Sequence, residues 1–415
     1  MAMKIAHLSI HGDPLAPLGG PHHGGQNVYV KELSRHLGAL GLNVEVFSRW
    51  ETEEWPAQEA ISRNARVVRS RIGPPEIIPK EETIRYLSQI AAWIDDYQER
   101  EENPFLLAHS HYYFSGAVGV HLKKHWNVPL IHNNHSLGAV KEQALGDRDP
   151  SPGIRAEIEN KVFQEADRVI ATAPHEKEEL VKLYGMNPAR VTVIPPGVNL
   201  EIFTPQPHQP SQNAIGYTQD HFLITYVGRI EERKGIDTLL KALYLIDDER
   251  FQLVIVGGPP HDQTFLTWAE LGRDPYRPYR DLVEEYGLEG QVTFTGGKPQ
   301  TKLAVYYSAG DVTVIPSYYE PFGLTALEAL ACGCPVIGSR VGGLAHTVRE
   351  DEVGYLFEPR SARALAEKIR NLHGQPDLQE DFRSRARPYV EEHYSWQSVT
   401  RRMVDVYQEV LEENG

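Results

Sequence analysis

Short apolar runs alternate with longer amphipathic stretches along most of the chain. Residues 5–10, 44–47, 106–108, 129–131 and 169–172 are compact apolar runs of the length a buried strand needs. Between them Val28, Leu33, Leu37 and Leu40 recur at helical spacing, and residues 117–124 and 156–165 are amphipathic. Pro195, Pro196 and Gly197, followed by residues 204–211 with Pro205, Pro207 and Pro210, break the rhythm and read as a linker. The alternation then restarts. Phe222–Val227, Phe251–Val256, 292–295, Val312–Ile315, 335–337 and Gly354–Phe357 are strand candidates, with helices over 235–245, Leu324–Ala331 and 362–372. Apolar strands separated by helices predict parallel sheets covered on both faces. The expected architecture is α/β: two doubly wound domains, 1–203 and 204–395, facing each other across a deep cleft. Ligands of such sheets bind at the carboxyl ends of the strands.

Composition narrows the partners. The 415 residues carry 42 basic and 57 acidic side chains, a formal charge of −15, which argues against broad binding of nucleic acid or of an anionic membrane surface. A local basic pocket for a small anion is still compatible with that balance. Cys332 and Cys334 are the only cysteines, so no disulfide framework is expected and a reducing cytoplasm is the expected compartment. No window resembles a membrane span, and residues 1–10 lack the pattern of a secretory signal.

Three motifs carry chemistry. Gly19, Gly20, Gly24 and Gly25 surround Pro21, His22 and His23 between the first strand and the first helix, where glycines let backbone N–H groups approach an anion. The spacing matches neither the dinucleotide nor the Walker fingerprint. Gly228-Arg229, with Lys234-Gly235 shortly after, puts two cations at the end of a strand, as a diphosphate requires. Glu320-Pro321-Phe322-Gly323-Leu324-Thr325 runs into a helix bearing Glu328, so backbone donors and two carboxylates share one region. A carboxylate there suits sugar hydroxyls. Eleven of the 18 histidines lie in the first 135 residues, among them His135 just past a strand. No HExxH or Cys/His set accompanies them, so no metal site is predicted. Cys332 and Cys334 read as packing in a tight turn, and His7 and His36 as structural.

Together the motifs resemble the retaining glycosyltransferases of family 4, which have the GT-B fold of two Rossmann-like domains. The most specific piece is the pair Glu320 and Glu328 around Pro321-Phe322-Gly323; Gly24-Gly25, Arg229, Lys234 and residues 193–199 fall in the family's order. The resemblance implies an acceptor-binding N-terminal domain, a C-terminal domain for the nucleotide sugar, and a last helix, 396–415, crossing back to the first. Within the family the chain most resembles sucrose-phosphate synthases, through residues 24–32, 79–82 and 135–141. The implied reaction joins UDP-glucose and fructose 6-phosphate into sucrose 6-phosphate and UDP, with no metal needed for the chemistry. A sucrose-phosphate phosphatase is the implied protein partner.

Residue by residue, the resemblance assigns Arg229 and Lys234 to the donor diphosphate, Glu328 to the ribose, and Glu320 to the donor glucose. It places Gly25, Phe322, Gly323, Leu324 and Thr325 against the donor and His135 near the reacting carbon. Gly24, Gln26 and Ser136 fall on the acceptor side, with Lys80, Tyr112, Lys141 and Arg155 around its phosphate. Ile154 stands where many such synthases have a second basic residue. An inositol-phosphate N-acetylglucosaminyltransferase shares the positions of Lys80, Tyr112 and Arg155, and is the nearest rival. A sucrose synthase, or a nucleotide-sugar-binding regulatory protein without turnover, are the others.

Overall fold

The computed structural model describes residues 3–17, 24–145, 154–218, 220–259 and 274–414, without the side chains of Lys80, Glu81, Ala144 and Leu145. The glycine-rich positions 19–23 lie outside the described residues. Two compact units result. The described residues up to Gly197 combine with Trp396 onward, and Val198–Ser395 make the second unit.

In the first unit β1 (Lys4–Leu8), β2 (Asn43–Arg49), β3 (Gln58–Ser62), β4 (Ala65–Ser70), β5 (Leu107–His111), β6 (Leu130–Asn133), β7 (Arg168–Ala171) and β8 (Val191–Val193) form one sheet. Its order is β3-β4-β2-β1-β5-β6-β7-β8, parallel except for β3 against β4. The central strand is β1, flanked by β2 and β5, so the strand order reverses there. The loops after β1 and β5 flank this reversal, the usual ligand position in such sheets.

In the second unit β9 (Phe222–Val227), β10 (Phe251–Val256), β11 (Val292–Gly296), β12 (Val312–Ile315), β13 (Val336–Ser339) and β14 (Gly354–Phe357) form an all-parallel sheet. The order is β11-β10-β9-β12-β13-β14, which reverses between β9 and β12. The apolar runs of the sequence account for most of these strands. β3, β4 and β8 are absent from that reading: β3 is largely exposed and has no apolar run, and β8 is three residues long.

The boundary between units falls at Gly197, not at residue 203. Val198 donates its N–H to Tyr394 O at 2.9 Å and pairs with Ser395. Phe203 is buried in the second unit's core against Tyr307. The proline-rich stretch read as linker instead contains a helix, His208–Ala214, packed on the helix Gln300–Ala309. Proline at N-terminal helix positions is compatible with helix, which the composition alone conceals.

The last helix, Trp396–Asn414, belongs to the first unit. Trp396, Val399, Met403, Val406, Tyr407 and Val410 recur every three or four residues and are buried with Ile5, Tyr29, Leu33 and Val44. Fully burying each such side chain contributes about 1.5–3 kcal/mol, so this stripe is enough to fix the helix. Arg168 adds ion pairs to Glu409 at 3.2 Å and Glu413 at 2.8 Å. Among the described residues no helix is long and apolar enough to cross a membrane.

Candidate functional site

In the second unit the loops after β9 and β12 are laced together. Tyr318 N–H donates to Arg233 O at 2.7 Å, and Arg233 Nη1 donates to Tyr319 O at 3.1 Å. Lys234 Nζ pairs with Glu320 Oε2 at 2.5 Å, and Ser317 Oγ donates to the same oxygen at 3.4 Å. Glu231, absent from the sequence reading of the site, sits 3.2 Å from Arg229 and 2.6 Å from Arg233. The result is three cations and two carboxylates at the point where strand order reverses.

Burial pulls the Lys234 ammonium and the Arg229 guanidinium below their ordinary ranges, while Glu320 and Glu231 respectively oppose the shift. Burial pushes Glu320 upward, but Lys234, Arg233 and Arg229 outweigh it and hold the carboxyl below its ordinary range. The cations are held in place by the two carboxylates before any ligand arrives.

Gly235 is what lets Lys234 lead into the helix Ile236–Ile246. Its φ is +67°, and a Cβ there would lie 2.0 Å from Pro316 O. Gly235→Ala should therefore destabilise the protein by about 2–4 kcal/mol, read as a lowered urea midpoint; an unchanged midpoint would refute this packing.

Gly323, at φ +90°, precedes the helix Leu324–Ala331, and a Cβ on it would lie 2.6 Å from Leu344 Cδ2. Leu324 and Thr325 stay half-buried at the helix start, whereas the Phe322 side chain is buried in the core. Any ligand contact of Phe322 therefore falls to its backbone. Glu328 is buried on the same helix and accepts from Tyr307 OH at 2.7 Å. Burial pushes its carboxyl up to about 7, against the hydrogen bonds from Tyr307 and Gln300.

The first unit collects a different set. Tyr112 follows β5 directly and His135 lies two residues past β6, and both have positive φ, +72° and +60°. Non-glycine residues are uncommon in that region, Tyr more so than His, and such a residue costs about 1–3 kcal/mol. Backbone strain in two adjacent strand–helix loops marks a place where side-chain direction matters.

Around His135 lie His7, His109, His111 and His132, all buried. His111 Nδ1 is 3.0 Å from His135 Nε2; Tyr407 OH reaches His7 Nε2 at 3.1 Å and His109 Nδ1 at 2.7 Å. Burial, with His109 nearby, pulls His135 down to about 3, so the imidazole is neutral at physiological pH. Among the described residues His111 Nε2 has no hydrogen-bond partner. A bare lone pair costs less there than a bare N–H, which puts the His111 proton on Nδ1, facing His135 Nε2. His135 then keeps its own proton on Nδ1 as a donor.

Arg155 is 1% exposed. Its Nε donates to Glu159 Oε1 at 2.6 Å, its Nη2 to Ser136 O at 2.8 Å and Ser136 Oγ at 2.9 Å. The guanidinium also lies over the rings of Tyr112 and Tyr113, 5.2 Å from each centroid. Arg155, Ser136 and Tyr112 are thus brought together. Glu159, four residues along the helix Ile154–Glu165, neutralises the arginine and accepts from Gly138 N–H at 3.1 Å; the i,i+4 spacing was the available signal for it.

Gly24 precedes the helix Gly25–Ala39, whose Asn27 Oδ1 accepts from Gly24 N–H at 3.0 Å. Gln26 Nε2 donates to Ser9 Oγ at 3.2 Å, tying that helix start to the loop after β1. Lys141 is half-buried on the helix Gly138–Leu145. Lys80 begins the short helix Lys80–Thr83, and its side chain lies outside the described residues.

Comparison with known proteins agrees with this division. Residues 209–388 match the family described as Glycosyl transferases group 1, and residues 23–202 match Glycosyltransferase Family 4. The chain is 36% identical, over 99% of its length and 96% of the relative's, to D-inositol 3-phosphate glycosyltransferase 2 of Catenulispora acidiphila. It is equally 36% identical to the solved sucrose-phosphate synthase of Thermosynechococcus elongatus, with a TM-score of 0.90 over 99% of this chain and 100% of that one. Anabaena HepE in complex with UDP and glucose, at 17% identity and a TM-score of 0.75 over 98% and 99% of the two chains, shares the fold. Two doubly wound sheets, each carrying its polar groups at the reversal of strand order, and full-length likeness to these proteins lead to one conclusion: the chain belongs to the GT-B glycosyltransferases of family 4.

Proposed function

We propose that this glycosyltransferase moves glucose from UDP-glucose to fructose 6-phosphate with retention of configuration, giving sucrose 6-phosphate and UDP. The observation that carries the reading is the likeness to the Thermosynechococcus elongatus sucrose-phosphate synthase, 36% identical with a TM-score of 0.90.

As the anomeric C–O bond breaks, negative charge grows on the departing diphosphate and positive charge on the sugar ring. Arg229 and Lys234 stabilise the first, already fixed by Glu231 and Glu320, so little reorganisation accompanies the reaction. The backbone N–H groups of Gly323, Leu324 and Thr325 face the donor, Glu320 its glucose and Glu328 its ribose. The leaving phosphate oxygen takes the acceptor's proton on the same face of the ring, which preserves the configuration. His135, neutral and carrying its proton on Nδ1, acts as a hydrogen-bond donor to the glucose rather than as a cation.

On the acceptor side, Lys80 and Lys141 hold the phosphate and Gln26 the sugar. Arg155, already paired with Glu159, fixes Ser136 and Tyr112. Gly24 and Gly25 bring backbone N–H groups to the substrates. The proposed chemistry runs without a metal and proceeds in EDTA. A phosphatase that removes the phosphate of the product is the expected partner, and the cytoplasm, where nucleotide sugars are made, the expected compartment.

A second reading is favoured by the curated relatives' names: transfer to an inositol phosphate. The relative from Kribbella flavida, 33% identical over 99% of this chain, is also named a D-inositol 3-phosphate glycosyltransferase. UDP release from UDP-glucose or UDP-N-acetylglucosamine, with fructose 6-phosphate, fructose or inositol 3-phosphate as acceptor, separates the two. UDP release only with UDP-glucose and fructose 6-phosphate is expected. Release only with inositol 3-phosphate would replace the proposal, and release with fructose alone would make the protein a sucrose synthase.

A further inference from the structure

The helices Leu87–Glu99 and Tyr112–Trp126 of the first unit pack together and carry three side chains that no step above uses. His121 and His125 stand one turn apart on the second helix, so their imidazoles share a face. The ring centroids are 3.9 Å apart with the planes 33° from parallel. Both rings aim at one oxygen of Asp95 on the facing helix: His121 Nε2 is 2.6 Å from Oδ2 and His125 Nδ1 is 3.2 Å from it. Among the described residues Asp95 Oδ1 is buried without a hydrogen-bond partner. All three ligand atoms lie within 4.8 Å of one another.

Hydrogen bonding alone uses these groups poorly. One carboxylate oxygen would accept from two rings while the other accepts from none. A divalent cation uses all three groups, because it takes a lone pair from each imidazole and from the carboxylate. Donor atoms around a tetrahedral ion with bonds of 2.0–2.1 Å are about 3.3 Å apart, which the 3.2 Å of His125 matches and the 2.6 Å of His121 reaches once that side chain draws back to admit the ion. Two imidazoles and one carboxylate select a borderline transition-metal ion over Mg²⁺, which prefers oxygen ligands throughout.

The neighbouring cations do not compete for the carboxylate. Lys123 is held by Asp167 at 2.6 Å and Lys124 by Glu165 at 2.9 Å. The other close histidine cluster, His7, His109 and His111, is fully buried, and all its ring nitrogens except His111 Nε2 are engaged by Ser34, Tyr407, Asn133 and His135. At Asp95 the rings are accessible instead, His121 being 35% and His125 56% exposed.

We propose that Asp95, His121 and His125 bind a divalent transition-metal ion, with Zn²⁺ the best chemical fit, and that the ion staples the two helices together. The sequence reading predicts no metal because the third ligand comes from a separate helix. His121 and His125 lie roughly 13 and 20 Å along their helix from Tyr112, so the ion is structural and takes no part in glycosyl transfer.

The test is calorimetric titration of the tag-free, chelator-treated full chain with ZnCl₂, paired with thermal melts. One Zn²⁺ per chain, a raised Tm, and no response to MgCl₂ are expected. His125→Ala, at the most exposed ligand, should weaken Zn²⁺ binding at least tenfold while leaving the metal-free Tm and the rate of UDP release unchanged. His121→Ala should weaken binding similarly. No Zn²⁺ response in the unaltered protein overturns the proposal. So does Zn²⁺ binding that survives His125→Ala and His121→Ala undiminished, which would place the ion on other histidines.

Discussion

Replacing Arg229 by alanine should lower kcat by about 10²–10³-fold and leave the thermal midpoint nearly unchanged. The size is that of removing one fixed donor from a site of developing charge. The selectivity for rate over stability follows from the surroundings. The Arg229 side chain is 37% exposed, and its partner Glu231 keeps Arg233 at 2.6 Å when Arg229 is gone. A partly exposed ion pair with a substitute cation contributes roughly 0–1 kcal/mol to folding. Lys234→Ala should cut kcat comparably, but with a lower Tm, because it leaves Glu320 buried without its 2.5 Å partner. Arg229→Lys should recover part of the rate, as charge without the guanidinium fork. Steady-state UDP release and a melting curve for each variant decide the matter; an unchanged kcat in Arg229→Ala would remove that residue from the proposed chemistry.

Donor affinity should fall as pH drops through about 7, the value to which burial raises Glu328. The sign follows from the protonation state that binds. In the proposed site the ribose hydroxyls donate to the ionised carboxylate, and below pH 7 that carboxylate is protonated, so affinity drops toward tenfold per pH unit. Above pH 7 it levels off, and binding near neutrality releases protons into the buffer. For folding the direction is opposite. The native state holds this proton more tightly than the unfolded chain, so the group's contribution to stability declines between pH 4.5 and 7 and is constant above. UDP-glucose is the right probe, because its diphosphate diester does not titrate in this range whereas the terminal phosphate of UDP does. Titration calorimetry between pH 5.5 and 8.5, in two buffers of different ionisation enthalpy, measures both affinity and proton release. Glu328→Gln keeps the shape and should flatten the profile, with binding above pH 7 weakened about 10–100-fold for the lost charge-assisted bonds. A profile that stays sloped in Glu328→Gln would assign the titration to another group.

The legible parts of the site were those confined to one short segment. Glu320 and Glu328 lie on a single loop and helix, so the spacing in the sequence already puts both near Gly323. Arg229 and Lys234 are visible for the same reason, immediately after an apolar run that can only be a buried strand. Glu231 and Arg233 were overlooked within that very segment because acidic and basic neighbours on a loop look like a solvated turn. Only packing of the loop after β9 against the loop after β12 turns them into clamps. Tyr307, which holds Glu328, sits on a helix 21 residues earlier and gives no local sign of it.

In the first unit the balance shifts further toward tertiary structure. Arg155 reads as a cation when taken alone, but the fold closes Glu159 and Ser136 around it, and its charge is balanced before any ligand comes. The five clustered histidines are spread over 129 positions and meet because β1, β5 and β6 are adjacent in the sheet, with Tyr407 arriving from the last helix. By itself the sequence determined the α/β class, most strands, the placing of Glu320 and Glu328 on one loop and helix, and the family, since these depend on hydrophobic period and on residues close together in the chain. The tertiary structure alone decided which charges are already paired, which imidazoles are neutral and where the first unit ends, because those depend on desolvation and on partners brought together by folding.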